Sequence, residues 1–256
     1  MGEPMPLILV VTLLVAAMMA AYEFGLRLHP RLRSRADGSK LDGSDESHAL
    51  SGVSGLLALL MAFSFSLALD RYEERRMLVT AEANAIGTFS TRLGLLPDED
   101  RAGLRQTLAV YGAARLKVGI SQDDGHREFA QAEALRDALG VRLYEVLQRY
   151  PFDARTTLLA QEFDAMGDVA TERRAARSAR LPTAVLVLLV VYCIAGACLL
   201  GYTVAASAAK HRTTAGLFFI LLGFAFAIVL DLDRPRGGFI LVPQDEMIAA
   251  VALLSR

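Results

Sequence analysis

Residues 49–76 read ALSGVSGLLALLMAFSFSLALDRYEERR, and this stretch decides the fold. Its first 21 residues carry no charge. As an α-helix at 1.5 Å per residue they extend about 31 Å, close to the ~30 Å hydrocarbon core of a bilayer. The change to Asp70-Arg71-Tyr72-Glu73-Glu74-Arg75-Arg76 is abrupt, as expected where a membrane helix emerges into water. On a helical wheel Ser51, Ser54, Gly55, Ala58, Ala62 and Ser66 share one face, and Val53, Leu56, Leu60, Phe63 and Leu67 fall opposite. The small face reads as a helix-packing seam, because small residues let backbones approach closely in lipid. The bulky face has a sharper reading. Repeated around a symmetry axis, rings of Phe63 with Leu56 or Leu60 make a hydrophobic constriction that gates by dewetting.

Three further apolar runs flank this one, at residues 6–28, 181–206 and 215–230. Each is long enough to cross a membrane, the last only with its flanking residues. The leading MGEPMP has no Lys or Arg, and the apolar core after it exceeds a signal peptide's, so a retained anchor is expected. The composition agrees. Of 256 residues 54% are hydrophobic, against about 45–50% in soluble domains. The length excludes a large multidomain enzyme. A net charge of −1 gives no basic face for nucleic acid. The two cysteines, Cys193 and Cys198, lie five apart in one apolar run and cannot bridge within a helix, so no disulfide framework is present.

Between the second and third runs, residues 70–180 are polar but periodic. Leu104, Leu108 and Tyr111 form one stripe; Leu135, Leu139, Leu143, Val146 and Tyr150 a second; Leu159, Phe163 and Met166 a third. Each is the spacing of an amphipathic helix. Breaks fall at Leu96-Pro97, at residues 121–125 (SQDDG) and at Tyr150-Pro151. Asp98, Glu99 and Asp100 place negative charge where a helix starts. Four helices are therefore expected here, the first continuous with the second membrane run and the last running into the third. Residues 239–242 have the composition for short extended structure.

The expected fold is an all-α membrane protein, with four transmembrane helices and a helical cytoplasmic domain inserted between the second and third. Its parts are residues 1–69 (the first two spans), 70–180 (the helical domain), 181–230 (the last two spans) and 231–256, a C-terminal polar segment. Arg31, Arg33, Arg35, Lys40, Lys210 and Arg212 lie on one side of the membrane. Arg71, Arg75, Arg76, Arg173, Arg174, Arg177, Arg180, Arg234 and Arg236 lie on the other. The larger set favours cytoplasmic termini and a cytoplasmic helical domain in the cell (inner) membrane.

Motifs for catalysis are missing. The chain has no phosphate-cradling glycine loop, no HExxH, CxxC or EF-hand spacing, and no GxSxG. His29, His48, His126 and His211 are scattered over separate segments. Neither an enzyme nor a bound cofactor or metal is expected; a hydrolase built on Asp231, Asp233 and Glu246 would need metal-ligand spacing that the chain lacks. Glu23 is the one carboxylate within reach of the first span, and ionisable groups there are functional candidates. After the fourth span, Leu230-Asp231-Leu232-Asp233-Arg234-Pro235-Arg236-Gly237-Gly238 reads as an interfacial cap with Asp–Arg pairs, or as an ion-attracting vestibule.

Residues 60–76 resemble the second-helix signature of bacterial bestrophins, in which an LxxF stretch is followed by a small or polar run and an Asp-Arg-aromatic. Arg71, Glu82-Ala83-Asn84-Ala85-Ile86-Gly87 and residues 231–238 are similar to the bestrophin-like domain family of membrane proteins. The resemblance implies a homo-oligomer, pentameric in bestrophins, whose second span lines a neck near Phe63, with Asp70 and Arg71 just below. Where bestrophins usually carry a polar or basic residue directly after the neck Phe, this chain has Ser64. The calcium-binding acidic run of animal bestrophins has no counterpart beyond Asp231 and Asp233. The expected function is an ion channel with Leu56, Leu60, Phe63, Ser66 and Leu67 lining its pore. Asp70, Arg71, Asp231, Asp233 and Arg234 would form charged rims, and the partners would be copies of the chain, membrane lipids and inorganic ions. The competing expectation is a non-conducting membrane scaffold or sensor whose helical domain binds a cytoplasmic partner.

Overall fold

The computed structural model describes residues 7–33, 43–121, 126–205, 212–236 and 238–254. Arg35, Lys40, Lys210, His211, Gly237 and most of the SQDDG break lie outside them, as do the side chains of Arg31 and Arg33. Among the described residues the secondary structure is helical without strands. It comprises α1 (Leu7–Arg33), α2 (Gly43–Arg92), α3 (Asp98–Ile120), α4 (His126–Leu147), α5 (Ala154–Ser178), α6 (Thr183–Val204), α7 (Arg212–Asp233) and α8 (Asp245–Leu254), with a 3-10 turn at Leu93–Leu95. Four of these segments are long and apolar enough to cross a membrane. Residues 239–242, expected as extended, form bends and irregular chain instead.

The chain divides into two compact units: Met1–Asp70 with Arg180–Arg234, and Arg71–Ala179 with Pro235–Arg256. In the first, α1 packs against α6 and α7. Leu14, Met18, Tyr22 and Leu26 recur every four residues along α1 and are buried, facing Leu189, Cys193 and Ala197 of α6 and Phe219 and Phe226 of α7. Two glycines set the α1–α6 distance. A Cβ on Gly25 would meet the Cys198 carbonyl oxygen and stand 2.8 Å from the Tyr202 nitrogen; one on Gly201 would stand 2.9 Å from the Tyr22 carbonyl carbon. In lipid, where apolar surface gains nothing by leaving the solvent, such close packing is what holds helices together. Glu23 is accounted for in the same unit. Arg212, at the start of α7, donates to both its oxygens, at 2.8 and 3.0 Å, which neutralises the carboxylate.

The second unit buries the three predicted stripes in one core. Leu104, Leu108 and Tyr111 of α3, Leu139, Leu143 and Val146 of α4, and Leu159, Phe163 and Met166 of α5 surround Val79, Ile86 and Phe89 of α2. Met247 and Leu254 of α8 join them. The C-terminal residues thus belong to this core, and α8 lies on α3, with Leu254 and Val251 over Gly112. Helix ends are fixed locally. The Asp153 carboxylate accepts the backbone N–H groups of Arg155 and Thr156, and the Thr156 hydroxyl accepts the Asp153 N–H, a reciprocal cap. Asp100 accepts from Arg149 at 2.7 Å and from the Tyr150 hydroxyl at 2.5 Å, tying the start of α3 to the end of α4.

The expected run of α5 into the third span is interrupted. Helix α5 ends at Ser178, Ala179 is extended, and α6 starts at Thr183 after Pro182. Proline disfavours helical backbone in the residue before it, which is Leu181 here.

Candidate pore-lining helix and charged segments

Helix α2 continues unbroken from the membrane run through DRYEERR to Arg92. Within the chain its membrane run, residues 49–69, is buried along one narrow line only, Leu57, Ser64 and Ala68, with Val53, Leu60 and Met61 half-buried beside it. The Ser64 hydroxyl donates to the Leu60 carbonyl at 2.8 Å, so the one buried hydroxyl in this stretch satisfies itself. Of the predicted pore residues, Phe63 is 59% exposed, Leu56 49% and Leu67 47%. Ser66 is exposed and Leu60 half-buried against the first unit's core. The small face is open as well. Ser54 and Ala58 line an apolar groove of about 760 Å³ whose other walls include Cys193 and Ala197 of α6 and Phe218 and Phe219 of α7.

The charged residues sort by environment. Asp70 is exposed and Arg71 half-buried. Glu73 and Arg76 face each other at 3.8 Å on an exposed surface. Arg75 alone in this run is buried, donating to the carbonyl oxygens of Ala176 at 3.1 Å and Ala179 at 2.8 Å. It therefore serves the last carbonyls of α5, which have no intrahelical partner. Asp231 and Asp233 are buried too, 3% and 6% exposed, and Arg234 is half-buried. The Asp233 carboxylate accepts the backbone N–H of Leu181 at 2.8 Å. A carboxylate just ahead of α6 is favoured by that helix's positive end.

One polar cluster was not anticipated as a unit. Glu82, fully buried, holds two guanidiniums at once: Arg115 Nε on Oε1 and Arg173 Nη1 on Oε2. Arg115 also donates to the Ala170 carbonyl at 3.2 Å, and Arg173 to Gln244 Oε1 at 2.7 Å. Gln244 is oriented in turn by its amide bonds to the Val242 and Pro243 carbonyls. Nearby, Arg177 donates to the Val118 and Ser121 carbonyls, and the guanidiniums of Arg115, Arg174 and Arg177 lie 5.4–5.8 Å from the Phe129 ring centre. Burial, with the Glu82 charge adding, pushes the Tyr111 hydroxyl far above its ordinary pKa. A signal for this cluster existed in the sequence. Glu82, Arg115 and Arg173 each interrupt an apolar helical stripe. Among the described residues no group of three or more His, Cys, Asp or Glu gathers as a metal site would need.

A family model described as the bestrophin-like domain matches residues 12–247. The chain belongs to the bestrophin-like domain family. No curated protein matches it. Among solved structures, a bacterial bestrophin homologue from Klebsiella pneumoniae is similar at 17% identity, covering 96% of each chain with a TM-score of 0.68. Two single-residue variants of a Klebsiella pneumoniae bestrophin homologue are similar at 14% and 12% identity. They cover 95% and 99% of this chain and 97% of their own, each with a TM-score of 0.69. At these identities the likeness shows the bestrophin fold, and each side chain's role rests on its own surroundings.

Proposed function

We propose that this bestrophin-like protein is a homo-oligomeric ion channel of the bacterial inner membrane, pentameric by analogy with bestrophins, with α2 lining the pore. The carrying observation is the exposure of Leu56, Phe63 and Leu67 on a membrane run, residues 49–69, that its own chain buries along one line only. One subunit with four spans encloses a pore poorly, so conduction needs several copies around an axis. The family and the fold support this arrangement. In it, Phe63 forms an apolar ring with Leu56 and Leu67 above and below, and ions shed part of their hydration there. Asp70 and Arg71, one exposed and one half-buried, set local ion concentration at the neck's end. The buried Asp233 acts structurally at the start of α6, where it accepts the Leu181 N–H. The positive-inside count favours cytoplasmic termini and a cytoplasmic helical unit.

The test is ion flux into vesicles reconstituted with purified protein. Phe63→Ala is expected to raise or deregulate flux relative to wild type. Absence of flux from both proteins under every imposed gradient would overturn the reading in favour of a non-conducting scaffold. A lipid-embedded oligomer whose axis is not lined by α2 would do the same.

A further inference from the structure

The second unit contains a cavity of about 30 Å³ among its walls, with Arg115, Arg173 and Arg236 on the lining beside Gly119 and Gln244. These three guanidiniums come from α3, α5 and the segment just before α8. The carboxylate that serves them is Glu82, which is already shared by Arg115 and Arg173. One carboxylate therefore serves these three guanidiniums, and Arg75 and Arg177, which also line the cavity, donate to backbone carbonyls. Two donors on its lining residues are also buried without a partner: Nη1 of Arg115, a side chain 1% exposed, and Nη2 of Arg236. Burial, and then the neighbouring charge of Arg173, lower the pKa of Arg236. Gly119 keeps the space open. A Cβ there would run into Gln244 Oε1 and stand 2.6 Å from Arg173 Nη2.

We propose that this cavity binds one small monovalent inorganic anion of chloride's size, held by Arg115 Nη1 and Arg236 Nη2. Buried cations are stable when paired, and here two buried guanidinium donors on one lining are unmet. The size fits. A space of roughly 10–15 Å³ is enough for a water molecule, so about 30 Å³ admits a single halide. Water would satisfy the donors but would leave the charge uncompensated. The site lies among residues of the helical unit and does not depend on whether α2 lines a pore.

The experiment is thermal unfolding of the purified full-length protein in detergent, with sodium chloride or sodium bromide replacing sodium gluconate at constant ionic strength. The midpoint is expected to rise saturably with either halide. Arg236→Gln should raise the half-saturating halide concentration at least tenfold. In gluconate it should be no less stable than wild type, because it removes a half-buried charge whose Nη2 has no partner; a purely structural Arg236 would not give that result. Arg127→Gln, at an exposed arginine, should keep the wild-type response. Equal midpoints in chloride and gluconate would overturn the proposal and leave water as the occupant. A halide response untouched by Arg236→Gln would also overturn it, placing the ion elsewhere, for instance in the pore. Bromide-soaked wild-type crystals give an independent reading. An anomalous peak between the Arg115 and Arg236 guanidiniums is expected, and its absence at saturating bromide counts against the site.

Discussion

Replacing Gly25 or Gly201 by alanine tests whether α1 and α6 cross at backbone contact. The added methyl on Gly25 meets the backbone of Cys198 and Tyr202, and that on Gly201 meets the backbone of Tyr22. No rotamer change relieves a backbone clash, so the helices must part by roughly 1 Å. A gap of that size forfeits about a quarter to a half of each dispersion contact. With roughly ten cross-helix atom pairs per side chain at ~0.15 kcal/mol, each residue of the Leu14, Met18, Tyr22, Leu26 stripe loses about 0.4–0.75 kcal/mol. The four together lose about 1.5–3 kcal/mol, the range found for overpacked interiors. Lipid gives nothing back, because it is as apolar as the surfaces that separate. The assay can use the protein's own chemistry. The chain has no tryptophan, but Cys193 is a buried free thiol in this interface. A thiol-reactive dye in a Cys198→Ala background therefore reports its exposure on heating. Both glycine variants should unfold at lower temperature. Gly94→Ala, whose methyl meets nothing within 4 Å, should not. The two glycines share one displacement, so the double variant should cost clearly less than the sum of the singles. Wild-type midpoints for both single variants, or strictly additive costs, would refute the reasoning.

Glu82→Gln keeps the shape but removes the charge that two buried guanidiniums share. Breaking a buried pair this way costs about 3–5 kcal/mol, so the helical unit should lose most of its resistance to denaturant, read by circular dichroism; an unchanged midpoint would show the arginines to be compensated elsewhere. The Asp153 carboxyl is held below the usual carboxylate range, chiefly by the Thr156 backbone N–H and then by the Arg155 side chain. Because its folded pKa is the lower one, its contribution is complete above the ordinary carboxylate pKa and disappears as pH falls through the depressed value. Asp153→Ala should therefore speed amide exchange at the start of α5 near neutral pH and should make no difference in strong acid. Equal exchange at neutral pH would contradict the cap.

The four spans were legible because ~20 uncharged residues leave few alternatives to a membrane. The core of the helical unit was legible because its stripes repeat at helical spacing: Leu104, Leu108 and Tyr111 pointed inward as their period requires. Helix α8 was harder to read. Its ten residues are apolar but too short for a span, and only the fold shows Met247 and Leu254 completing a core begun more than a hundred residues earlier. The pore residues of α2 are legible only as a pattern. A wheel separates Phe63 from Ala62, but what an exposed face meets is decided by other copies of the chain.

The buried charges show where periodicity stops carrying the argument. Glu82 falls on the line of Val79, Ile86 and Phe89; Arg115 continues Leu104, Leu108 and Tyr111; Arg173 continues Phe163, Met166 and Ala170. Each alone reads as a lapse in an apolar face. Together they require one another, since a stripe that carries its charge into a core needs the opposite charge to meet it there. One glutamate against two arginines leaves that requirement half met. Helix propensity does not explain the remainder, because the two partnerless guanidinium nitrogens on the cavity's lining residues belong to segments far apart in sequence. A core made only to be stable would replace such a cluster with leucine at little or no cost. Keeping Arg115, Arg173 and Arg236 on the lining of one cavity, with a single glutamate shared by the first two, is what a cavity that holds an ion requires, and the halide titration of Arg236→Gln decides that point directly.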